Sequence, residues 1–228
     1  MEWLWGGSWP AFMEPLLLTL KVAGLSTLAA LALGVVAAFA LTRWRFPGRD
    51  VLDALCTLPL VMPPTVLGYY LLVLIGRRSV FGGWLQETFG VSLMFTWHGA
   101  VLAAGVVAFP LVFKSSRAAL EGVGKKYEDA ARTLGQGEVA VFVRVSLPLA
   151  FRGVLAGTML AFARALGEFG ATLMVAGNLP GRTQTLSLAV YSAVQAGDDA
   201  LANALVLIIS VVCVIILATT SRLLKPGF

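Results

Sequence analysis

The chain has 228 residues, of which 58% are hydrophobic and 13% charged, with a mean hydropathy of +0.86. A water-facing domain carries about a quarter charged residues, so this composition excludes a soluble globular surface and points to a membrane protein. The formal net charge is +5, but the basic residues lie between apolar runs, which makes them markers of topology rather than of nucleic-acid binding.

A spanning helix needs about 20 mainly apolar residues to cross about 30 Å of hydrocarbon. Residues 1–15 come first, as an expected extracytoplasmic segment. They lack a basic n-region and a small-residue cleavage site, so Glu2, Trp3, Trp5, Trp9 and Glu14 read as an interfacial belt rather than a cleavable signal. Five apolar windows follow, at 16–41, 52–75, 93–113, 154–176 and 200–218, within a membrane domain placed at 16–218. A further stretch, 183–196, is framed by Asn178, Pro180, Gly181, Asp198 and Asp199. It is too short to span and suits a re-entrant or interfacial helix. Residues 219–228 form a tail.

Basic residues set the orientation. Arg43, Arg45 and Arg49 follow the first window, Lys114, Arg117, Lys125, Lys126, Arg132, Arg144 and Arg152 the third, and Arg222 and Lys225 the fifth. Only Arg77, Arg78 and Arg182 follow the second and fourth. This asymmetry predicts an N-terminus outside, a C-terminus inside and a cytoplasmic tail. Cys56 and Cys213 fall inside apolar runs without CxxC or Cys/His spacing, so no disulfide framework or metal site is expected.

The one sizeable cytoplasmic segment is 114–153. Ala118, Ala119, Val123, Ala130, Ala131 and Leu134 have helical spacing, with Gly135 as a stop. A second amphipathic turn runs through Val139, Phe142 and Val145 and is expected to break at Pro148. Asp129, Ala130, Ala131, Gly135, Val145, Leu147 and Pro148 keep the spacing E-A-A-x3-G-x9-I-x-L-P, with Asp for Glu and Val for Ile. This resembles the signature of type I ABC importer permeases.

The resemblance implies an all-α transmembrane domain with about five spanning helices and a coupling helix at 129–135, within a 129–148 loop, that docks on an ATP-hydrolysing subunit. It also implies a homodimer, two cytoplasmic ABC ATPases and an extracytoplasmic binding protein. The chain itself shows no GxxxxGK[ST], since Gly124-Lys125 is followed by Lys126. ATP and its magnesium are therefore expected on the partner, with no cofactor, catalytic residue or metal ligand in this chain and no enzyme activity of its own.

LPLVMPPTVLGYYLLVLIGRR at 58–78, FARALGEFGATLMVAGN at 162–178, DAARTLG and SLPLA look like the molybdate importer permeases of the bacterial inner membrane. Sulfate/thiosulfate permeases are close relatives and stand as the alternative; tungstate is a possible second cargo. An extracytoplasmic molybdate-binding protein is then the implied partner.

Read from the residues alone, Pro59, Pro63 and Pro64 remove backbone donors from one span, which is tolerated only against protein or a water-filled cavity. Pro63, Pro64, Thr65 and Gly68 are thus candidate pathway residues, with a kinked and tightly packed helix start as the competing explanation. Arg164 and Glu168, four residues apart on one expected helical face, can pair within the membrane, either to fix packing or near a gate. A rival from another class is an ion-coupled secondary transporter using Glu168. Lys21 is expected to snorkel to the interface, and His98, beside Trp97, to be an interfacial histidine rather than a ligand. The small residues Ala103, Ala104, Gly105, Gly153, Gly157 and Ala161 are expected at close helix contacts.

Overall fold

The computed structural model describes residues 9–44 and 46–224, and within them every regular element is helical. Glu2, Trp3, Trp5, Arg45 and Lys225 lie outside the described residues. The helices are α1 (Trp9–Arg43), α2 (Arg49–Val61), α3 (Pro64–Ile75), α4 (Val80–Phe89), α5 (Trp97–Glu121), α6 (Lys125–Thr133) and α7 (Glu138–Val141). A π-helical turn (Phe142–Ser146) leads into α8 (Leu147–Leu166), followed by α9 (Gly170–Ala176), α10 (Leu186–Gln195) and α11 (Asp199–Leu224).

Among the described residues, four stretches are long and apolar enough to cross a membrane: Phe12–Arg43, Trp97–Glu121, Glu138–Leu166 and Asp199–Thr219. α2 and α3 pass the same test only as a pair, bent by 116° at the break between them. The expected single helix at 52–75 is therefore two. Pro63 is the cap of α3 and Pro64 its first residue; neither can donate, and the fixed φ of Pro64 starts a new helix instead of continuing the old one.

Two further boundaries differ from the sequence reading. Pro148 does not break the chain: α7, the π turn and α8 run as one apolar stretch, Glu138–Leu166. Proline clashes with the carbonyl four residues back, and the wider turn just before it, Phe142–Ser146, gives the ring room. The window 154–176 is instead cut at 167–169, where α8 ends at Leu166 and α9 begins at Gly170. The α4 helix, not foreseen, is capped by the Ser79 hydroxyl accepting from the Gly82 N–H.

α5 is the central post. At one end Lys21 of α1 lies 3.4 Å over the Trp97 ring, and at the other Leu41 of α1 shares a cluster with Phe113 and Leu120. The helices α1 and α5 are thus parallel, which requires one crossing between them. α8 packs against α5 in the opposite sense, Gly153 beside Ala119 and Gly157 beside Ser115. A Cβ on Gly153 would sit 2.5 Å from the Ala119 Cβ, and one on Gly157 would overlap the Ser115 side chain. Only small residues permit that approach. Ala104 and Ala161 are fully buried together in one cluster, and Ala103, equally buried, packs with Leu67, Leu71 and Ala171 of α3 and α9.

α10 closes the end opposite the basic residues. The Thr19 hydroxyl donates to the Pro15 carbonyl at 2.7 Å and accepts from the Leu186 N–H at 2.8 Å, tying the start of α10 to α1. Leu186, Ala189 and Ala193 then pack with Phe12, Ala202 and Leu205. α10 is ten residues long, consistent with the non-spanning helix expected at 183–196. Many apolar residues on α2 and α11, among them Leu55, Leu58, Leu207 and Val214, remain exposed, as a lipid-facing or subunit-facing surface requires.

Candidate functional site

The motif residues lie at the end of the bundle that gathers Arg43, Arg49, Lys114, Arg117 and Arg132. α5 runs on past the expected limit of 93–113 as far as Glu121. The chain then turns through 122–124 and α6 carries the D-A-A triplet. Asp129 and Ala130 are exposed, Ala131 is half-buried and Leu134 is 80% exposed. Gly135 has φ +79, the left-handed conformation that ends α6 and turns the chain toward α7. Leu147 is half-buried and Pro148 is exposed in the first turn of α8. The seven motif residues thus form one continuous elbow with an apolar outward face at Ala130, Leu134 and Val139.

The inner face is ionic. Glu128 is the only buried residue of α6. One of its carboxylate oxygens accepts from the Arg43 guanidinium at 2.6 Å and the other from the Ser146 hydroxyl at 2.6 Å. Burial by itself would raise the Glu128 carboxyl, but the Ser146 and Arg43 hydrogen bonds outweigh it and hold the group below its ordinary value. Arg132 adds bonds to Asp129 and Glu138, both at 2.6 Å. Asp129 therefore pairs within the chain, while remaining exposed. Sequence reasoning missed Glu128 because it stands one place before the motif and its partners, Arg43 and Ser146, lie far away in the sequence.

A second ionic group pins α2. Asp53 accepts from Lys114 at 2.7 Å and from Arg117, and Arg117 also meets Glu121 at 2.8 Å. The start of the bent crossing is thereby fixed to α5 at the basic end.

Toward the other end, α3 and α9 meet. Gly68 is buried, and a Cβ there would lie 2.7 Å from Met174 and 3.0 Å from the Ala171 backbone. Gly170 faces Pro64 and Thr65 a little less closely, at 3.1 and 3.3 Å for an added Cβ. Pro63 and Thr65 are exposed and Pro64 is half-buried. Of the four candidate pathway residues, Gly68 thus lies inside a helix contact, while the others sit on its rim.

Arg164 and Glu168 do pair, at 2.8 Å, but not on one helix face: Glu168 lies beyond the end of α8. Its other oxygen accepts from the Ala171 N–H at 2.9 Å, so the carboxylate, 2% exposed, joins α8 to α9 across the break. Lys21 and His98 both flank Trp97, His98 stacked at 3.6 Å and exposed. Among the described residues no group of His, Cys, Asp and Glu side chains could hold a metal ion.

Residues 30–225 match the family described as binding-protein-dependent transport system inner membrane component. The chain belongs to that family. It is 50% identical over 182 residues to the molybdenum transport system permease protein ModB of Escherichia coli (strain K12), covering 80% of each chain. It is 34% identical over 224 residues to the sulfate transport system permease protein CysT of the same strain, covering 96% of this chain and 80% of that one. Among solved structures, a bacterial alginate ABC transporter in complex with an alginate-bound periplasmic protein aligns with a TM-score of 0.76. That alignment covers 95% of this chain and 81% of the other at 16% identity, which speaks to the fold alone. The chain is therefore a multi-pass permease subunit of the cytoplasmic membrane with the type I importer fold. It is not itself the ATP-hydrolysing component.

Proposed function

We propose that this chain is the membrane subunit of an ATP-driven importer for molybdate, with tungstate as a cargo of the same shape and charge. The observation that carries the substrate is the 50% identity to a molybdenum permease against 34% to a sulfate permease. Two copies enclose the path, because one chain offers four straight crossings and one bent one, too few to seal a pore. The basic end faces the cytoplasm, as the charge asymmetry requires.

An ABC ATPase docks on the elbow formed by Asp129, Ala130, Ala131, Gly135, Leu147 and Pro148, and supplies ATP and magnesium. A molybdate-binding protein delivers the anion at the opposite end, near α10. The permease then acts as a two-state element: each partner shifts it only through different affinities for the inward-facing and outward-facing forms. Pro63, Pro64 and Thr65, at the rim of the bent crossing, border the path, and Gly68 keeps α9 against α3. Neutral donors suit an anion that must be released, since a deep fixed charge would hold it.

The secondary-transporter reading needs Glu168 free to take a proton. Instead one of its oxygens accepts from the Ala171 N–H, and the other, without a hydrogen bond, is ion-paired with Arg164 at 2.8 Å. The test is uptake of labelled molybdate in a strain deleted for this chain and complemented with it. Uptake resistant to a large excess of sulfate is expected; uptake abolished by sulfate would assign the chain to the sulfate class.

A further inference from the structure

The coupling helix α6 is held in an unusual way. On its N-terminal side the chain passes Gly122 and Gly124, and on its C-terminal side Gly135 and Gly137. Glycine-rich joints bend freely and transmit displacement poorly. Between them, the only buried side chain of the nine-residue helix is Glu128. Its two oxygens reach two different elements: Arg43, the last residue of α1, and Ser146, in the π turn that leads into α8. Both bonds are 2.6 Å and both are charge-assisted, the stronger kind. Arg43 also lies 3.4 Å from Glu138 at the start of α7, and Arg132 lies 3.6 Å from Glu128.

We propose that the Arg43–Glu128–Ser146 clamp is the link through which displacement of α6 reaches α1 and α8, with Glu128 as a positioning residue for transport. The proposal rests on the reading of α6 as the ATPase-docking helix. The division of labour follows from the two faces of α6: the outer face, with Ala130 and Leu134 beyond its end, receives the partner, and the single inner carboxylate pulls on the crossings. A π turn is a site where a helix can be rotated or shortened at small cost, so the Ser146 bond attaches the pull where α8 yields.

The experiment uses the complete complex of permease, ATPase and binding protein in proteoliposomes. It measures ATPase retention on purification, ATP hydrolysis, and labelled molybdate imported per ATP. Glu128→Ala is expected to retain the ATPase and hydrolyse ATP within about twofold of wild type, while import per ATP falls about tenfold. Arg43→Ala, which cuts the α1 arm and leaves the Ser146 bond, should give part of that loss, and the double variant no more than Glu128→Ala alone. Glu128→Asp should recover part of it. Unchanged import per ATP in Glu128→Ala would overturn the proposal. If Glu128→Ala sheds the ATPase, Glu128→Gln, which keeps size and the Ser146 contact, is read in the same way; shedding there too makes Glu128 only a structural anchor and also overturns it. Failure of the docking reading looks different: Leu134→Arg on the outer face would then leave ATPase retention intact. A wild-type complex that imports no molybdate would count against the substrate, not the clamp.

Discussion

The two ends of the bundle are built from different chemistry. At the basic end, elements distant in sequence are tied by charges: Arg43 to Glu128, and Asp53 to Lys114 and Arg117. At the opposite end the hydrogen bonds between elements are neutral, beside the contact of Lys21 with the Trp97 ring. Thr19 holds Leu186, Asn178 and Gln184 share the Ser192 hydroxyl at 2.7 and 3.2 Å, and Gly68 and Gly170 let α3 and α9 meet. Charges form directional, strong bonds in a partly wetted layer and can carry force from a docked partner. Neutral hydroxyls and amides give order without holding an anion that has to pass. On the proposed function, the end that receives mechanical work is held by ion pairs between elements, and the end that receives cargo by hydroxyls, amides and the Lys21–Trp97 contact.

The sharpest way to break this contrast is at the elbow. Gly135, at φ +79, should not tolerate a β-branched residue. Gly135→Val is expected to abolish ATP-driven uptake, with membrane insertion intact by fractionation; wild-type uptake would remove the elbow from the coupling path. Next in size is Arg164→Ala, which leaves the buried Glu168 carboxylate without its cation. The cost is about 3 kcal/mol, the low end for a broken buried pair because Arg164 is one-third exposed. It should appear as a lowered thermal midpoint in detergent, with Glu168→Gln milder because a glutamine oxygen still accepts from Ala171.

Gly157→Leu drives a side chain into Ser115 in the α5–α8 seam and should cost about 1–3 kcal/mol, read from the same melting curves. Thr19→Val removes the tie to α10 and should cost about 1 kcal/mol, with faster amide exchange at Leu186 as its local signature.

The smallest expected effect is of pH. Glu128 is held below its ordinary value, so its contribution is fully present above the unfolded carboxylate value of about 4.3 and is lost only as pH falls through the lowered one. Tryptic cleavage at Lys125 and Lys126 in purified permease, taken relative to that of an unstructured peptide at the same pH, should therefore be flat from about pH 5 to 8. Protection that fades as pH drops from 7 to 5 would contradict the clamp geometry.

Much of the basic end was legible in the sequence. Charged residues are rare in this chain, so their spacing carried the expected topology, while the Asp129–Pro148 motif was carried by small residues and the Leu147–Pro148 pair, and Gly135 takes the conformation its place requires. Span boundaries were less legible where proline acts through its context. Two adjacent prolines, Pro63 and Pro64, split a crossing, whereas Pro148 behind a π turn splits nothing. Periodicity registers neither case, because the outcome depends on hydrogen bonds of the preceding turn. The break at 167–169 was hidden by an apolar run that reads as one helix until Glu168 is seen capping Ala171. Glu128 was hidden for the opposite reason: its environment is made by Arg43 and Ser146, which no local window contains.

The most direct test of the central claim, that ATP hydrolysed elsewhere drives this chain through its basic end, is uptake of labelled molybdate into proteoliposomes with the partner ATPase present or omitted. Uptake only with ATPase, ATP and binding protein together is predicted. Uptake by the permease alone, driven by a proton or sodium gradient, would contradict the account.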